Sequence, residues 1–358
     1  MINNDERKER SGDMKKTLIR TVSLVMGAII CVFCLASCSK KPYDYDLKEY
    51  ITVPDDLAEI TVTDAEILER VALQIQTVLE NKATYSNVTV RGAMPGDTLK
   101  LTVECFKTDE KKTPIPELSD NDATLVLGED KYPAELENAL IRRVVGDEIE
   151  ISVTLPETFT ALGLAGKAMI YKVKITSIST KMLPEYNDEF VKTVSAYTTV
   201  AEYEQYLYEK MKEELIFDKL LEKSTVKIYP TEEVQSYTSN FVKYYTEHAD
   251  KLNITLEEYA QKKFFIGITE FHLKADAYAK ELVKEELLLY RLARKYSIEL
   301  SDGEYTSGAA KYVAEYGLKS VSELEGRFGK DYIRQTVLMD KMLAYLSEQI
   351  PVSEPPAV

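Results

Sequence analysis

Tryptophan is absent from this chain of 358 residues, and histidine and cysteine are scarce, with two and four residues. Cys31, Cys34 and Cys38 lie close together near the N-terminus, which leaves Cys105 as the single cysteine in the rest of the chain. One thiol cannot form an intramolecular disulfide or a Cys-x-x-Cys pair. With so few nitrogen and sulfur ligands, the sequence predicts neither a zinc nor an iron centre, and it implies no cofactor.

Positive charge is also in deficit, since 45 Lys and Arg residues stand against 60 Asp and Glu residues, a net charge of −15. Binding to the phosphates of nucleic acid requires clustered Lys and Arg, so this composition argues against a nucleic-acid partner. The sequence has no Gly-rich phosphate loop and no His placed for a Ser–His nucleophile. Nucleotide-driven work and Ser–His hydrolysis are therefore not expected.

The N-terminal region has a basic stretch that ends at Arg20, followed by an apolar run over residues 21–36. This order is typical of a secretory signal peptide. The apolar run is slightly shorter than the about 20 residues that a membrane-spanning helix usually needs. We therefore expect residues 1–37 to be a signal peptide, with Met14 as a natural start; an uncleaved signal anchor is the alternative.

The apolar run ends in Leu35-Ala36-Ser37-Cys38, which resembles the bacterial lipobox. The resemblance implies that Cys38 carries lipid and becomes the first residue of the mature chain. Because a lipid contributes about 0.8 kcal/mol per buried CH₂, two or more acyl chains would hold the protein on the extracytoplasmic face of the cell membrane.

Local patterns divide the rest of the chain into an α+β part and an all-α part. Residues 38–57 are polar and predict a tether. Residues 58–84 predict a helical segment that begins at a Thr63–Glu66 capping box. Over residues 85–180 the apolar period becomes two, which predicts mostly antiparallel strands around one short helix at Pro133–Leu140.

Residues 181–350 have helical periodicity throughout. Capping-box patterns of Ser or Thr followed three residues later by Glu begin at Thr199, Thr255, Ser301 and Ser320. The half of the chain after residue 180 also contains 18 of the 24 tyrosines. Tyrosine suits adaptable contacts with many partners, but most of these rings can equally fill the spaces between helices. Residues 351–358 predict a frayed tail.

Several of these stretches, in this order, resemble trigger factor. Its FKBP-type prolyl isomerase domain is similar to residues 96–99, 127–148 and 153–168, and the hinge into its helical chaperone domain is similar to residues 183–191. The resemblance covers roughly residues 60–350. It implies a small FKBP-like sheet-and-helix domain followed by an all-α chaperone domain. The basic ribosome-docking loop of the family is missing, so ribosome binding is not expected.

The resemblance also implies which residues line an isomerase pocket. Phe159 and Tyr171 match two of the family's aromatic positions, and Tyr132 and Leu136 match positions around the short helix. Two positions depart from the family: Val103 replaces an aromatic residue, and residues 107–119 replace a loop that carries Phe and Asp. The departures leave two interpretations: a degenerate peptidylprolyl isomerase, or aromatic residues that only fill the core.

The function that this resemblance implies is that of a membrane-anchored folding factor. It would hold unfolded or newly exported polypeptides and catalyse cis–trans isomerisation of X–Pro bonds. One alternative is a catalytically inactive binding module for a dedicated protein partner. Another is a solute-binding lipoprotein, but the long helical half argues against two α/β lobes around a cleft.

Overall fold

The computed structural model describes residues 45–129, 131–157, 159 and 161–353. The predicted signal peptide and Cys38 therefore lie outside the described residues. Contacts divide the chain into two compact units. We call Ala65–Met211 with His248–Lys274 the sheet unit, and the described residues up to Asp64, Lys212–Glu247 and the residues from Ala275 onward the helical unit.

The strands are, in chain order, β1 (Ile51–Thr52), β2 (Val62–Thr63), β3 (Thr84–Asn87), β4 (Asp97–Lys107), β5 (Asp120–Val126), β6 (Glu148–Thr154), β7 (Ala168–Met182), β8 (Thr225–Val226) and β9 (Val352–Ser353).

The helices are α1 (Asp64–Asn81), α2 (Ala134–Leu140), α3 (Asp188–Val194), α4 (Val200–Lys223), α5 (Thr231–Lys251), α6 (Leu256–Phe264), α7 (Ile268–Lys295), α8 (Asp302–Glu315), α9 (Val321–Phe328) and α10 (Lys330–Gln349).

An antiparallel sheet of β3, β7, β4 and β5, in that order, forms the centre of the sheet unit, and β6 also pairs with β7. β4 runs beside β7 from Asp97, opposite Thr180, to Lys107, opposite Met169. Leu99, Leu101, Val103 and Cys105 are fully buried at alternate positions of β4. Side chains of a strand point to opposite faces in turn, which is why the period of two in the sequence predicted this strand.

The short helix α2 packs its apolar side against the buried face of this sheet. Leu136 and Leu140 are fully buried and belong to the same core as the β4 side chains. Pro133 stands at the N-cap of α2. Its missing N–H costs nothing there, because the first N–H groups of a helix have no partner within the helix.

The segment predicted as a polar tether is different in its described part. Leu47 and Ile51 are 1% exposed, and β1 pairs antiparallel with β8. The Nζ of Lys295, at the end of α7, donates hydrogen bonds of 2.7 Å to the backbone oxygens of Pro54 and Asp55. A few apolar side chains and long-range backbone pairing therefore make residues 45–57 part of the helical unit.

The end of the chain differs from the prediction in the same way. Residues 351–358 were expected to fray, but Val352 and Ser353 form β9, which pairs in parallel with Val62 and Thr63 of β2. The hydroxyl of Ser353 also donates a 3.0 Å hydrogen bond to the backbone oxygen of Val62. Residues 354–358 of the predicted tail lie outside the described part.

The helix N-termini follow the capping patterns closely. At Thr199, Thr255 and Ser301 the hydroxyl accepts from the backbone N–H three residues later, and the Glu at that position accepts from the cap residue's N–H. At Ser320 only the first of these bonds forms, because the Glu323 carboxylate accepts from the N–H of Lys319 instead.

The two units do not follow one another along the chain as the predicted domains do. The sheet unit contains more than residues 85–180, since α1, α3, part of α4 and the residues around α6 belong to it. Helices α4, α5 and α7 each have some residues in one unit and the rest in the other. All three are long, and α7 has 28 residues, which at 1.5 Å per residue make a helix of about 42 Å.

Candidate functional site

An aromatic cluster lies on the sheet unit beside α2, and we call Tyr132, Phe159, Tyr171 and Phe265 the aromatic site. The rings of Tyr132 and Tyr171 meet edge to face, with centroids 6.4 Å apart and an interplanar angle of 77°. Phe265 has its ring centroid 6.5 Å from that of Tyr132 and 6.2 Å from that of Phe159. These spacings lie in the range that is favourable for aromatic pairs.

Strand β7 and the loop after β6 deliver two of these rings. Tyr171 faces the core from β7, where it lies opposite Cys105 of β4. Phe159 follows the end of β6, and its N–H donates a 2.9 Å hydrogen bond to the backbone oxygen of Pro156. Its loop returns to β7 through hydrogen bonds of 3.0 and 3.1 Å that join Leu155 to Lys167 and Gly166.

Tyr132 is held in place by a buried carboxylate. Glu137 of α2 is 4% exposed, and its two oxygens accept hydrogen bonds of 2.9 Å from the backbone N–H groups of Gly128 and Tyr132. Hydrogen bonds to an ionised acceptor are stronger than neutral ones. Glu137 therefore fixes the loop that carries Tyr132 against the helix that follows it.

The polar groups of the aromatic site are neutral at neutral pH. Burial, followed by the negative charges of Asp120 and Glu137, raises the pKa of Tyr132 to about 12. Burial also raises the pKa of Tyr171, and the neighbouring Cys105 raises it further. The pKa of the Cys105 thiol is raised to about 11 by burial, against a smaller opposite effect of its hydrogen bond with Tyr171. The site is thus apolar and suited to removing water from a ligand.

The five residues that the resemblance pointed to do not share one environment. Val103 and Leu136 are fully buried, Tyr171 is 3% exposed and Phe159 is 8% exposed, all within the core. Tyr132 is half-buried and packs against that core. The structure therefore brings the aromatic residues together, and Val103 and Leu136 belong to the same core. Their role in catalysis stays a prediction.

The loop that departs from the family, residues 107–119, is an ordered part of the core. Asp109 closes it by accepting hydrogen bonds of 2.9 and 2.6 Å from the N–H and hydroxyl of Thr113. Ile115 and Leu118 are buried in the sheet core, and helix α6 lies against residues 116–118. The loop thus provides a surface for a helix, where the family has an aromatic and an acidic residue.

Sequence reasoning missed Phe265 and Glu137. Phe265 lies in Phe264-Phe265-Ile266-Gly267, between two helical patterns, where polar turn residues are usual. That run of apolar residues in a connecting turn could have indicated that the turn packs against the rest of the protein. Glu137 lies in a helical pattern, where a Glu side chain is normally expected to be exposed to solvent. Only its burial in the structure separates it from the other Glu residue of that helix.

The described part of the chain contains neither a cluster of metal ligands nor a membrane-spanning helix. Within residues 45–353, apart from the gaps stated above, no group of three or more His, Cys, Asp or Glu side chains could hold a metal ion. None of the helices in that part has the length and apolar character needed to cross a membrane. Cys38, the predicted lipidation site, is outside these residues.

Comparison with known proteins gives a consistent likeness. Residues 190–348 match the family described as the bacterial trigger factor protein (TF) C-terminus. The trigger factor of Acetivibrio thermocellus is 27% identical over 332 residues, which cover 88% of this chain and 75% of that protein. The trigger factor of Agathobacter rectalis is 25% identical over 319 residues, which cover 85% of this chain and 70% of that protein.

A solved structure from work on promiscuous substrate recognition by the trigger factor chaperone is 19% identical, with a TM-score of 0.33, and the match covers 84% of this chain and 73% of that one. The sequence matches extend through both the sheet unit and the helical unit. Residues 190–348 are therefore similar to the trigger factor C-terminus, and most of the chain is similar in sequence to trigger factors.

Proposed function

We propose that this protein is a chaperone that holds unfolded polypeptides and assists their folding. The observation that carries the proposal is the match of residues 190–348 to the trigger factor C-terminus, together with sequence similarity to trigger factors along most of the chain. Such a role needs no nucleotide, because apolar burial between chaperone and client supplies the binding free energy.

Exposed apolar side chains near α6 support client binding. Leu252 is 53% exposed, Leu273 is 67% exposed and Phe264 is 40% exposed, all within the sheet unit. The three residues lie just before, within and just after α6 in the sequence, and exposed apolar side chains that form a patch commonly mark interaction surfaces. Broad, weak contacts with unfolded chains are the kind that such residues make.

The test of holding is the suppression of aggregation of a chemically denatured protein, followed by light scattering. We expect the chain to suppress aggregation and the double variant Leu252→Ser/Leu273→Ser to lose most of that effect. Lys251→Ser, at the exposed residue that precedes Leu252 in the sequence, is the matched control and should behave as the wild type. Equal suppression by all three proteins would refute a client surface at these leucines.

A second part of the proposal assigns peptidylprolyl isomerase activity to the aromatic site. X–Pro bonds interconvert in tens to hundreds of seconds without a catalyst, over a barrier of about 18–20 kcal/mol that amide resonance sets. An apolar site favours the twisted amide of the transition state, which has lost that resonance, over the polar ground state. Tyr132, Phe159 and Tyr171 are the residues that would contact the proline.

The test is the rate at which the chain accelerates cis–trans isomerisation of a short blocked Phe–Pro peptide. Phe159→Ala should lower kcat/KM at least tenfold, roughly the effect of 1.4 kcal/mol. Phe190→Ala removes an equally buried ring, also 8% exposed, elsewhere in the sheet unit. Loss of activity in both variants would indicate a general loss of stability instead of a site at Phe159.

A catalytically inactive binding module is the alternative to an isomerase. It is favoured by Val103 and the 107–119 loop, because both depart from the family at positions that line its pocket. Crosslinking in cell extracts would separate the two, since a dedicated module should capture one partner and a general folding factor many. Client range and isomerisation rate are therefore to be measured together.

The proposal places the protein on the extracytoplasmic face of the cell membrane, attached through lipid on Cys38. The lipobox pattern at residues 35–38 supports it. Labelled palmitate should enter the wild-type chain and should be lost in Cys38→Ser, which should also leave the membrane fraction. Cys34→Ser changes a cysteine of the same run that would depart with the signal peptide, so it should remain labelled.

A further inference from the structure

The turn between α6 and α7 places the ring of Phe265 on the aromatic site. The centroid of this ring lies 6.2 Å from that of Phe159 and 6.5 Å from that of Tyr132. Phe265 packs, half-buried, against the core of the sheet. It belongs to a helical hairpin, whereas the other three rings come from the sheet and its loops, more than 90 residues earlier in the sequence.

The backbone of Phe265 indicates that its side chain matters. Phe265 has φ of 57° and ψ of 31°, the left-handed conformation that caps α6. Glycine is the usual residue at this position of a helix end, because any Cβ is disfavoured there. Glycine does occur in this turn, but two residues later, at Gly267. A bulky aromatic residue in the strained position is best explained by the contacts of its ring.

The rings that the proposed isomerase site would offer to a ligand are covered. Phe159 and Tyr171 are only 8% and 3% exposed. A proline ring cannot stack on surfaces that are already buried unless a covering group moves. Phe265 comes from a separate element and contacts Phe159 and Tyr132, the ring that in turn packs on Tyr171. Helix α6 itself lies against the loop that differs from the family.

We propose that Phe265 is a resident occupant of the aromatic site, and that the α6–α7 turn must withdraw before an apolar client segment can bind there. The inference rests on the proposed function in taking an X–Pro segment as the competing ligand. A tethered occupant has a high effective concentration, so it competes well even when each contact is weak. The apparent affinity for a client falls by the fraction of molecules in which the turn has withdrawn.

The charges around this contact limit how tightly the turn closes. Burial is the main cause that lowers the pKa of Lys131, and the positive charges of Lys263 and Lys100 lower it further, against the opposite effect of Asp120. Lys131 neighbours Tyr132, and Lys263 belongs to α6. The positive charge of Lys263 thus repels that of Lys131 while the turn is in place, which weakens the closed arrangement and helps a client to displace the turn.

The experiment measures binding of two probes to the full chain. One probe is the blocked Phe–Pro peptide. The other is a blocked peptide of residues 261–269 with 4-fluorophenylalanine in place of Phe265, read by its single ¹⁹F resonance. Phe265→Ala should bind both probes about tenfold more tightly than the wild type, as expected if the turn occupies about nine tenths of the sites. Phe265→Gly, which relieves the left-handed strain, should do the same.

Two matched variants complete the test. Tyr259→Ala removes a ring of α6 that pairs with Phe264, and it should leave both affinities within about twofold of the wild type. Lys263→Glu turns the repulsion with Lys131 into attraction, and it should weaken binding of both probes.

The outcomes separate this inference from the isomerase proposal. If the turn peptide binds more tightly to Phe265→Ala but the Phe–Pro peptide binds to neither protein, the resident occupant stands and the isomerase proposal fails. If the turn peptide binds Phe265→Ala no more tightly than it binds the wild type, Phe265 is a fixed part of the site and does not compete with ligands. That result would overturn the inference. Absence of binding to either protein would overturn it as well.

Discussion

The carboxylate of Glu137 accepts a 2.9 Å hydrogen bond from the backbone N–H of Tyr132. The same side chain accepts a second bond of 2.9 Å from the N–H of Gly128. A single buried acid thus ties the loop before α2 to the helix itself. The position of one ring of the aromatic site depends on this link, because one of the bonded N–H groups is that of Tyr132 itself.

Replacing Glu137 with Gln should lower the free energy of unfolding by about 2 kcal/mol, because one buried N–H then faces an amide donor instead of an acceptor. Binding of the Phe–Pro peptide should weaken with it. Urea unfolding and peptide titration measure the two effects. Glu135→Gln, on the exposed side of the same helix, should change neither, and an equal effect there would argue against the specific role of Glu137.

An ion pair between a buried carboxylate and a partly exposed arginine at the start of β4 predicts a pH dependence of stability. Asp97 is 3% exposed, and Arg91 bonds to its two oxygens at 2.5 and 2.8 Å. The hydrogen bond with Arg91 is the largest of the causes that lower its pKa to about 2, and bonds from Thr180 and the N–H of Met94 add to it.

Because the folded pKa lies below the value of about 3.9 in an unfolded chain, this stabilisation is complete above that pH and is lost as the pH falls toward 2. The shift corresponds to roughly 2 kcal/mol. Asp97→Asn should remove this part of the acid dependence, measured as urea midpoints between pH 5 and pH 2. Asp122→Asn, in an exposed pair with Lys100, should retain the wild-type slope, and a flat slope in both would contradict the assignment.

A close approach of two helices predicts opposite effects at two glycines of the helical unit. A Cβ on Gly308 of α8 would lie 2.3 Å from a methyl carbon of Val337 in α10. Gly308→Ala should therefore cost about 1–3 kcal/mol of stability through overpacking. Gly326 of α9 has nothing within 4 Å of the same position, so Gly326→Ala should stabilise the protein by up to about 1 kcal/mol.

Thermal unfolding of both glycine variants tests this contrast. Adding Val337→Ala to Gly308→Ala should recover part of the loss, because the smaller side chain makes room for the new methyl group. No recovery in the double variant would place the cause of the loss elsewhere than in this contact.

The capping box of α6 should control how stable the hairpin is. The hydroxyl of Thr255 accepts from the N–H of Glu258, and the Glu258 carboxylate accepts from the N–H of Thr255 at 2.7 Å. Thr255→Ala should destabilise α6 by about 1 kcal/mol. Hydrogen exchange of the α6 amides should become faster by roughly fivefold, while Ser320→Ala should affect α9 and leave α6 unchanged.

The sequence correctly predicted structure that depends on neighbouring residues. Alternation in residues 97–107 predicted β4, the pattern at Thr255 predicted the start of α6, and Pro133 marked the start of α2. Each of these depends on residues within a few positions of one another. The dihedral angles and hydrogen bonds involved are local, so the sequence contains nearly all of their physics.

The sequence did not predict the pairing of strands that lie far apart in the chain. The 45–57 segment was predicted as a tether on its polar composition, but the pairing of β1 with β8 joins residues about 173 positions apart. β2 and β9 pair over about 291 positions. A polar segment with two or three apolar side chains can pack against the protein or stay in solvent. Which of the two occurs depends on whether the rest of the fold offers a surface that fits those side chains.

The aromatic site depends both on local sequence patterns and on packing between distant residues. The sequence by itself determined the antiparallel sheet pattern, the helix beside it, the helical second half and a likeness to trigger factor, since these rest on local periodicity and ordered motifs. Only the tertiary structure decided that Tyr132, Phe159 and Tyr171 meet, that Val103 and Leu136 lie in the core, and that Phe265 covers the cluster. Burial and contact between distant residues come from packing free energy, which is summed over the whole fold and is not contained in any short stretch.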